Sequence, residues 1–150
     1  MKLIILIGPP GVGKSTMASD LINNDGDHGA ATKRISQDAN NGNKQKTMNA
    51  FNLAIDNKSD IILDRCNISR GQRGPWISIA KEAGYTIEAI QLVVPREVCV
   101  ERMMKRENHE TIPNTMDPDK MESIVRGFNK DLDPPTLDEG FSKITIMRND

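Results

Sequence analysis

A glycine-rich loop between an apolar segment and a helical segment constrains the fold of this chain more than any other feature. Residues 8–15 read Gly-Pro-Pro-Gly-Val-Gly-Lys-Ser and match the pattern G-x-x-x-x-G-K-[ST]. The aliphatic run Lys2–Ile7 before the loop predicts a buried central strand, and Ser15–Asn24 after it predicts a helix. Such a loop presents backbone N–H groups and a helix N-terminus to phosphate oxygens, so we expect it to bind a nucleotide.

The individual residues of the loop suit contacts with nucleotide phosphates. Glycine lets the backbone approach a phosphate closely. Lys14 supplies a mobile charge for the β- and γ-phosphates, and the Ser15 hydroxyl is a ligand for Mg²⁺. The alternative is a glycine-rich turn with a surface lysine, which the flanking strand and helix disfavour. The predicted nucleotide-binding residues are Gly8, Pro9, Pro10, Gly11, Val12, Gly13, Lys14, Ser15 and Thr16.

Apolar and helical stretches alternate along the rest of the chain, which predicts an α/β fold with a mainly parallel sheet. With 150 residues the chain fits a single domain that spans residues 1–150. Further strands are predicted at Lys33–Ser36, Asp60–Asp64, Thr86–Val94 and Lys143–Met147. Further helices are predicted at Lys44–Asn57, at Arg96–Arg106, and after Asp117, which can cap a helix with Pro118 at its first position.

The start of the helix that carries Trp76 is ambiguous. Ser69 can cap a helix, but Pro75 would then lie inside it, where a proline removes a hydrogen bond and favours a kink. The sequence therefore predicts this helix and leaves its first residue open.

Composition excludes several classes of protein. Lys and Arg number 20 against 21 Asp and Glu, and the net charge of −1 argues against a broadly basic surface that wraps nucleic acid. With 3 Phe, 1 Trp and 1 Tyr, the chain has too few aromatic residues to fill a core and also build an extended base-stacking platform. Cys66 and Cys99 have no zinc or CxxC spacing and predict reduced thiols with no disulfide-linked partner. No signal peptide or membrane span of roughly 20 apolar residues is present, so we expect a soluble cytoplasmic protein without a membrane partner.

Two aspartates follow predicted strands. Because ligands of parallel sheets bind beyond the carboxyl ends of the strands, we expect Asp38 and Asp64 to lie near the loop. Asp38 is the candidate general base for an attacking hydroxyl, and a turn residue is its alternative interpretation. Asp64 follows three apolar residues and is the candidate that orients Mg²⁺ or its water, with a helix-capping or turn role as the alternative.

Arg102 and Arg106 lie four residues apart on a predicted helix and therefore share one face. Glu101 can pair with Lys105 at the same spacing, which leaves the two arginines without an obvious local partner. We predict that both arginines offset charge on a transferred phosphoryl group, and that a polar segment at about 102–117 forms a lid. A solvated basic face is the alternative.

A second group of arginines follows the strand predicted at 60–64. Arg65, Arg70 and Arg73 could line a groove for an acceptor, or they could simply be solvated at the surface. The sequence favours neither interpretation.

Together these segments resemble the P-loop kinase family that includes the 5′-hydroxyl polynucleotide kinases, and most of all the kinase module of fungal-type tRNA ligases and related nucleic-acid repair proteins. The matching pieces span nearly the whole chain in the expected order. They are the loop at 8–15, Ile35-Ser36-Gln37-Asp38, Leu63-Asp64-Arg65-Cys66-Asn67 with Gln72-Arg73, the run from Arg102 to His109, and Pro134-Pro135 followed by Glu139-Gly140-Phe141.

The resemblance implies a three-layer αβα P-loop NTPase fold with strand order 2-3-1-4-5 and a helical lid. It implies that Asp38 is the general base, that Arg106 is the essential lid arginine beside Arg102, and that Asp64 lies near the active site. It also implies Mg²⁺ as cofactor and ATP or GTP as phosphate donor. The chain departs from phage-type enzymes at Asn41, where those enzymes carry an arginine that contacts the acceptor phosphate.

We therefore expect an NTP-dependent kinase that transfers a γ-phosphoryl group to the 5′-OH end of RNA or DNA. Lys14 and Mg²⁺ would hold the donor, Asp38 would take the acceptor proton, and Arg106 with Arg102 would clamp the transferred group. A kinase of a small hydroxyl-bearing metabolite or nucleoside is an alternative, which the charge balance and the few aromatics also suit. A nucleotide-binding switch without kinase activity is a third interpretation, and it would need no general base at Asp38.

Overall fold

A parallel sheet lies at the centre of the computed structural model, which describes residues 1–23, 32–36, 43–105 and 117–148. The strands of this sheet are β1 (Lys2–Ile7), β2 (Thr32–Ser36), β3 (Asp60–Asp64), β4 (Thr86–Val93) and β5 (Lys143–Arg148). They lie in the order β2-β3-β1-β4-β5, and every neighbouring pair is parallel. The expected fold class and strand order are confirmed.

Helices flank the sheet and alternate with the strands along the chain. They are α1 (Lys14–Asn23), α2 (Lys44–Asp56), α3 (Arg70–Glu82), α4 (Arg96–Lys105) and α5 (Pro118–Asp131), with a 3₁₀ turn at Leu137–Glu139. These bounds agree closely with those that the apolar pattern predicts. Among the described residues, no helix combines the length and the apolar character that crossing a membrane requires.

The two faces of the sheet carry separate apolar clusters. One face packs against α2 and α3 through Phe51 and Trp76, whose rings meet edge to face with 5.0 Å between their centroids. The other face packs against α1, α4 and α5 through Ala18, Cys99 and Val125. Since β1 lies between the two clusters, it must be apolar on both sides, which accounts for its continuous aliphatic sequence.

The start of α3 is fixed by its N-terminal cap. The helix begins at Arg70, and the Ser69 hydroxyl accepts a hydrogen bond from the backbone N–H of Gln72 at 3.1 Å. Pro75 lies inside the helix, where it cannot donate to the carbonyl of Gly71. Because Gly71 is exposed, water can satisfy that carbonyl, and the helix tolerates the proline.

A buried ion pair joins α3 to the 3₁₀ turn. Arg73 donates from Nε and Nη2 to the two carboxylate oxygens of Glu139 at 2.8 and 3.1 Å, and from Nη1 to the carbonyl of Asn67 at 2.9 Å. The side chains of Arg73 and Glu139 are 0% and 3% exposed. Burial raises the pKa of Glu139, but the hydrogen bonds from Arg73 and from the backbone of Thr136 outweigh it and hold that pKa below its usual value. The pair is therefore ionised at neutral pH.

We expect Arg73→Met to lower the free energy of unfolding by about 3 kcal/mol or more, because it leaves the Glu139 carboxylate buried without its partner. The double variant Arg73→Met, Glu139→Met should recover much of this loss, since neither charge is then left unpaired. Urea unfolding of the three proteins measures the difference. A double variant less stable than Arg73→Met would contradict the assignment.

The lowered pKa of Glu139 also predicts a response to acid. A carboxyl group whose pKa is depressed in the folded state contributes stability above its unfolded pKa, and this contribution is lost as the pH falls through the folded value. Between about pH 6 and about pH 3 the unmodified protein should therefore lose more unfolding free energy than Glu139→Gln. Urea unfolding across this range tests the sign, and parallel pH profiles for the two proteins would speak against it.

Candidate nucleotide-binding site

The glycine-rich loop follows the carboxyl end of β1 and is fixed from two sides. Beside β3, the backbone N–H of Gly8 donates to the carbonyl of Cys66 at 3.0 Å. Beside α4, Gly11 has φ +81°, and a Cβ at that residue would stand 2.4 Å from the carbonyl oxygen of Cys99. Because only glycine permits this approach, the path of the loop depends on its contact with α4.

The ammonium group of Lys14 folds back over the loop. Its Nζ donates to the carbonyls of Gly8 and Pro9 at 2.9 and 2.8 Å, and the residue is 9% exposed. Carbonyl oxygens orient the ammonium group and leave its net charge in place. The loop therefore keeps a positive charge of the kind that contacts β- and γ-phosphates in loops of this sequence.

Arg102 reaches the same loop from α4. Its Nη1 donates to the carbonyl of Val12 at 3.2 Å and lies 3.5 Å from the point that a Cβ on Gly13 would occupy. Lys105 pairs with Glu101 at 2.8 Å, as the spacing predicts. The structure thus brings Arg102 to the predicted phosphate-binding loop, and the neighbouring lysine is engaged elsewhere.

The thiol of Cys99 is buried between the loop and α4. Burial raises its pKa, although the positive charges of Arg102 and Lys14 oppose that shift. The thiol is therefore neutral at physiological pH and serves as a packing group.

Asp64 stands at the carboxyl end of β3, where a guanidinium group links it to Ser15. Arg34 of β2 donates from Nε and Nη2 to Oδ2 of Asp64 at 2.9 and 2.6 Å, and from Nη2 to the Ser15 hydroxyl at 3.2 Å. The two predicted metal-binding groups therefore converge. Arg34 was not among the predicted site residues. A sequence signal for Arg34 did exist. Arg34 lies two residues before Ser36, the last residue of β2, and alternate residues of a strand lie on the same face of the sheet, so the two side chains share a face.

The donor groups at this point fit a Mg²⁺ site that a nucleotide would complete. Within the described ranges, no three His, Cys, Asp or Glu side chains are grouped closely enough to hold a metal ion by themselves. Mg²⁺ usually takes one or two protein oxygens and completes its shell with substrate phosphates and water. The Asp64 carboxylate and the Ser15 hydroxyl, already joined by a cationic guanidinium, are oxygens of that kind.

Asn67 ties the end of β3 to the end of β1. Its side-chain amide donates to the carbonyls of Leu6 and Arg65 at 2.8 and 3.1 Å, and the residue is buried. Its φ of +49° lies in the left-handed region, which asparagine tolerates better than most residues. Asn67 belongs to the matching segment at 63–67, and the structure gives it a positioning role next to the loop.

The predicted acceptor arginines Arg70 and Arg73 are both paired with carboxylates. Arg70 meets Asp138 at 3.0 Å on the surface, and Arg73 is enclosed with Glu139. A side chain that is fully enclosed cannot reach a substrate. The structure therefore assigns Arg73 to the protein core and not to an acceptor groove.

Arg65 has a different environment. Its guanidinium carbon lies 5.0 Å from the ring centroid of Trp76, and the residue is half-buried. Burial lowers the pKa of this guanidinium from its usual value, but arginine remains a cation at neutral pH. Since Arg65 directly follows Asp64, it stays a candidate for the acceptor side of the site.

Several predicted residues lie outside the described residues. They are Asp38, Asn41, Arg106 and most of the predicted lid at 102–117. Their roles stay predictions.

Comparison with known proteins identifies a family. Residues 3–130 match a family described as an AAA domain. The chain is 30% identical over 152 residues to transcription factor bHLH140 of Arabidopsis thaliana, and 27% identical over 146 residues to the bifunctional polynucleotide phosphatase/kinase of Schizosaccharomyces pombe. These matches cover 99% and 95% of this chain but only 16% and 32% of the two relatives, so the chain spans a minor part of each.

Two solved structures share the fold. Kti12 of Chaetomium thermophilum in complex with ADP-AlF3 superposes with a TM-score of 0.72 at 20% identity, covering 99% of this chain and 89% of that one. A fungal RNA kinase superposes with a TM-score of 0.69 at 21% identity, covering 99% of this chain and 78% of that one. Together with the family match and the phosphatase/kinase relative, they confirm the resemblance drawn from the sequence motifs.

We expect Gly11→Ala to disrupt the loop, because the new Cβ would collide with the carbonyl of Cys99. Gly84→Ala is a matched control, since Gly84 has φ +85° and nothing within 4 Å of its would-be Cβ. The control should cost about 1–2 kcal/mol of unfolding free energy through backbone strain alone. Gly11→Ala should cost more and should also weaken ADP binding. Urea unfolding and ADP titration measure both effects, and equal losses in the two variants would refute the role of the contact with α4.

Proposed function

The chain belongs to this family of AAA domains, and we propose that it transfers the γ-phosphoryl group of ATP or GTP to the 5′-hydroxyl end of RNA or DNA. The observation that carries the proposal is the convergence of Lys14, Ser15, Asp64 and Arg102 at the carboxyl end of the sheet. In open α/β sheets this end is where ligands bind.

The donor would lie in the glycine-rich loop. The loop N–H groups, the N-terminus of α1 and Lys14 provide the positive field that triphosphate oxygens require. The Ser15 hydroxyl and the Asp64 carboxylate would hold Mg²⁺. When bound, this ion neutralises charge on the β- and γ-phosphates.

In the proposed reaction the acceptor hydroxyl attacks the γ-phosphorus. A new O–P bond forms as the bond between the γ-phosphorus and the β–γ bridging oxygen breaks, and the nucleoside diphosphate leaves. Asp38 accepts the proton of the hydroxyl as that bond forms. Arg102, with Arg106, offsets charge on the phosphoryl oxygens during the transfer.

The choice of a nucleic-acid acceptor rests on two relatives and one residue. A polynucleotide phosphatase/kinase and an RNA kinase are similar to this chain. Arg65 is a cation at the end of β3, held against Trp76. In this position it would suit the phosphate that follows a 5′-terminal nucleotide.

A small hydroxyl-bearing acceptor is the second candidate, and a specific observation favours it. The carboxylates of Asp138 and Glu139 compensate the charges of Arg70 and Arg73, which removes two of the three cations proposed for an acceptor groove. A shorter acceptor needs fewer cations than a polynucleotide does.

One assay separates the two candidates. Purified protein is incubated with Mg²⁺ and ATP or GTP carrying a labelled γ-phosphate, and with a panel of 5′-OH oligoribonucleotides, 5′-OH oligodeoxynucleotides, nucleosides and sugars. Label on the oligonucleotides supports the proposal, and label on a nucleoside or sugar alone would replace it with the second candidate. Nucleotide binding without transfer to any acceptor would favour a switch without kinase activity.

Asp38→Ala should reduce phosphoryl transfer by roughly 10²–10⁴-fold, because the acceptor hydroxyl loses its general base. The affinity for ADP should change little. Asp56→Ala is the control, since Asp56 is an exposed residue at the end of α2, and we expect it to retain full activity. The acceptor assay and ADP titration measure the two quantities. Loss of ADP binding together with activity in Asp38→Ala would count against a role as base.

A further inference from the structure

The guanidinium group of Arg34 lies between the two groups proposed to hold the metal. It donates two hydrogen bonds to the same oxygen of Asp64, at 2.9 and 2.6 Å, and a third to the Ser15 hydroxyl at 3.2 Å. Asp64 belongs to β3 and Ser15 to α1, so Arg34 connects three elements of the fold.

The strand register explains why this side chain reaches the site. Arg34 lies opposite Ile62 and Ser36 lies opposite Asp64, so the side chains of all four residues fall on one face of the sheet. Ile62 packs against α1 on that face. From this position the long side chain of Arg34 extends towards the carboxyl end of the sheet, where β3 ends and α1 begins.

The burial of this ion pair is unequal. The side chain of Asp64 is 5% exposed and that of Arg34 is 33% exposed. The carboxylate is therefore fixed within the protein, whereas the guanidinium borders solvent and can move. A buried carboxylate requires a cation beside it, and an exchange of one cation for another would satisfy that requirement equally well.

Arg34 and a divalent ion would compete for the same oxygen atoms. A metal ion needs the lone pairs of Asp64 Oδ2 and Ser15 Oγ, which the N–H groups of Arg34 occupy. Two cations at this distance also repel each other. Metal binding to both oxygens thus requires that the guanidinium withdraw.

We propose that Arg34 is a built-in cation that competes with Mg²⁺ for Asp64 and Ser15, so that the chain binds the metal tightly only together with nucleotide phosphates. The phosphates would supply the remaining metal ligands and would also accept hydrogen bonds from the displaced guanidinium. This inference rests on the donor site proposed above. It adds a residue that couples metal binding to nucleotide binding.

The test compares metal affinity with and without nucleotide. Mn²⁺ serves as a paramagnetic probe for Mg²⁺, and its binding to the unmodified protein and to Arg34→Gln is titrated alone and with ADP. We expect Arg34→Gln to bind Mn²⁺ alone at least about 10-fold more tightly, because the competing charge is gone. With ADP present the difference should shrink. Equal or weaker Mn²⁺ binding by Arg34→Gln without ADP would overturn the proposal.

Three further variants serve as controls for this experiment. Lys33→Gln removes an exposed charge from the neighbouring position of β2, on the opposite face, and should behave like the unmodified protein. Arg34→Gln combined with Asp64→Asn should lose the gain in affinity, and persistence of the gain would place the metal elsewhere and refute the inference. If Arg34→Gln does not fold, Arg34→Met decides, because methionine also removes the charge and the forked donors, and an Mn²⁺ affinity no higher than that of the unmodified protein counts against the proposal.

The proposed kinase function can fail separately. Tighter Mn²⁺ binding by Arg34→Gln without phosphoryl transfer by the unmodified protein would support the competition and refute the kinase. If the unmodified protein transfers the phosphoryl group but Arg34→Gln binds Mn²⁺ no more tightly than the unmodified protein does, only the proposed competition is refuted. Absence of Mn²⁺ binding in every protein, with or without ADP, would refute both.

Discussion

The contact between the backbone of the glycine-rich loop and the backbone of α4 determines the layout of the candidate site. A Cβ on Gly11 would stand 2.4 Å from the carbonyl oxygen of Cys99, so the loop and the helix can meet only where the chain has no side chain. The same approach brings Arg102 to 3.2 Å from the carbonyl of Val12. A single steric condition therefore sets both the path of the loop and the position of the arginine beside it.

Local sequence patterns predicted most of the fold because the elements are specified locally. β1 is apolar on both faces since helices cover both sides of the sheet, and the cap residues Ser69 and Asp117 mark the starts of their helices. The first residue of α3 could not be fixed in this way. The cost of Pro75 depends on whether the carbonyl of Gly71 can meet water, and that depends on exposure in the folded protein.

The site was predictable where its residues are close in the sequence and unpredictable where partners are distant. Lys14 and Ser15 belong to one short motif. Arg73, by contrast, pairs with a carboxylate 66 residues away, and Arg34 pairs with one 30 residues away. Only the strand order and the packing of α3 bring these partners together. Spacing along the chain therefore identified cations near the site but could not show which of them a carboxylate compensates.

The partners of these cations divide them into two groups. Lys14 and Arg102 donate to backbone carbonyls, and no carboxylate among the described residues forms an ion pair with either. Arg70 and Arg73 instead meet carboxylates, so these two cations contribute little net positive charge beside α3. Arg34 is intermediate, because its carboxylate partner is also a suitable metal ligand and can exchange one cation for another. The phosphates of a nucleotide are therefore attracted to Lys14 and Arg102 at the glycine-rich loop more strongly than to Arg70 and Arg73, as binding of a nucleotide in this loop requires.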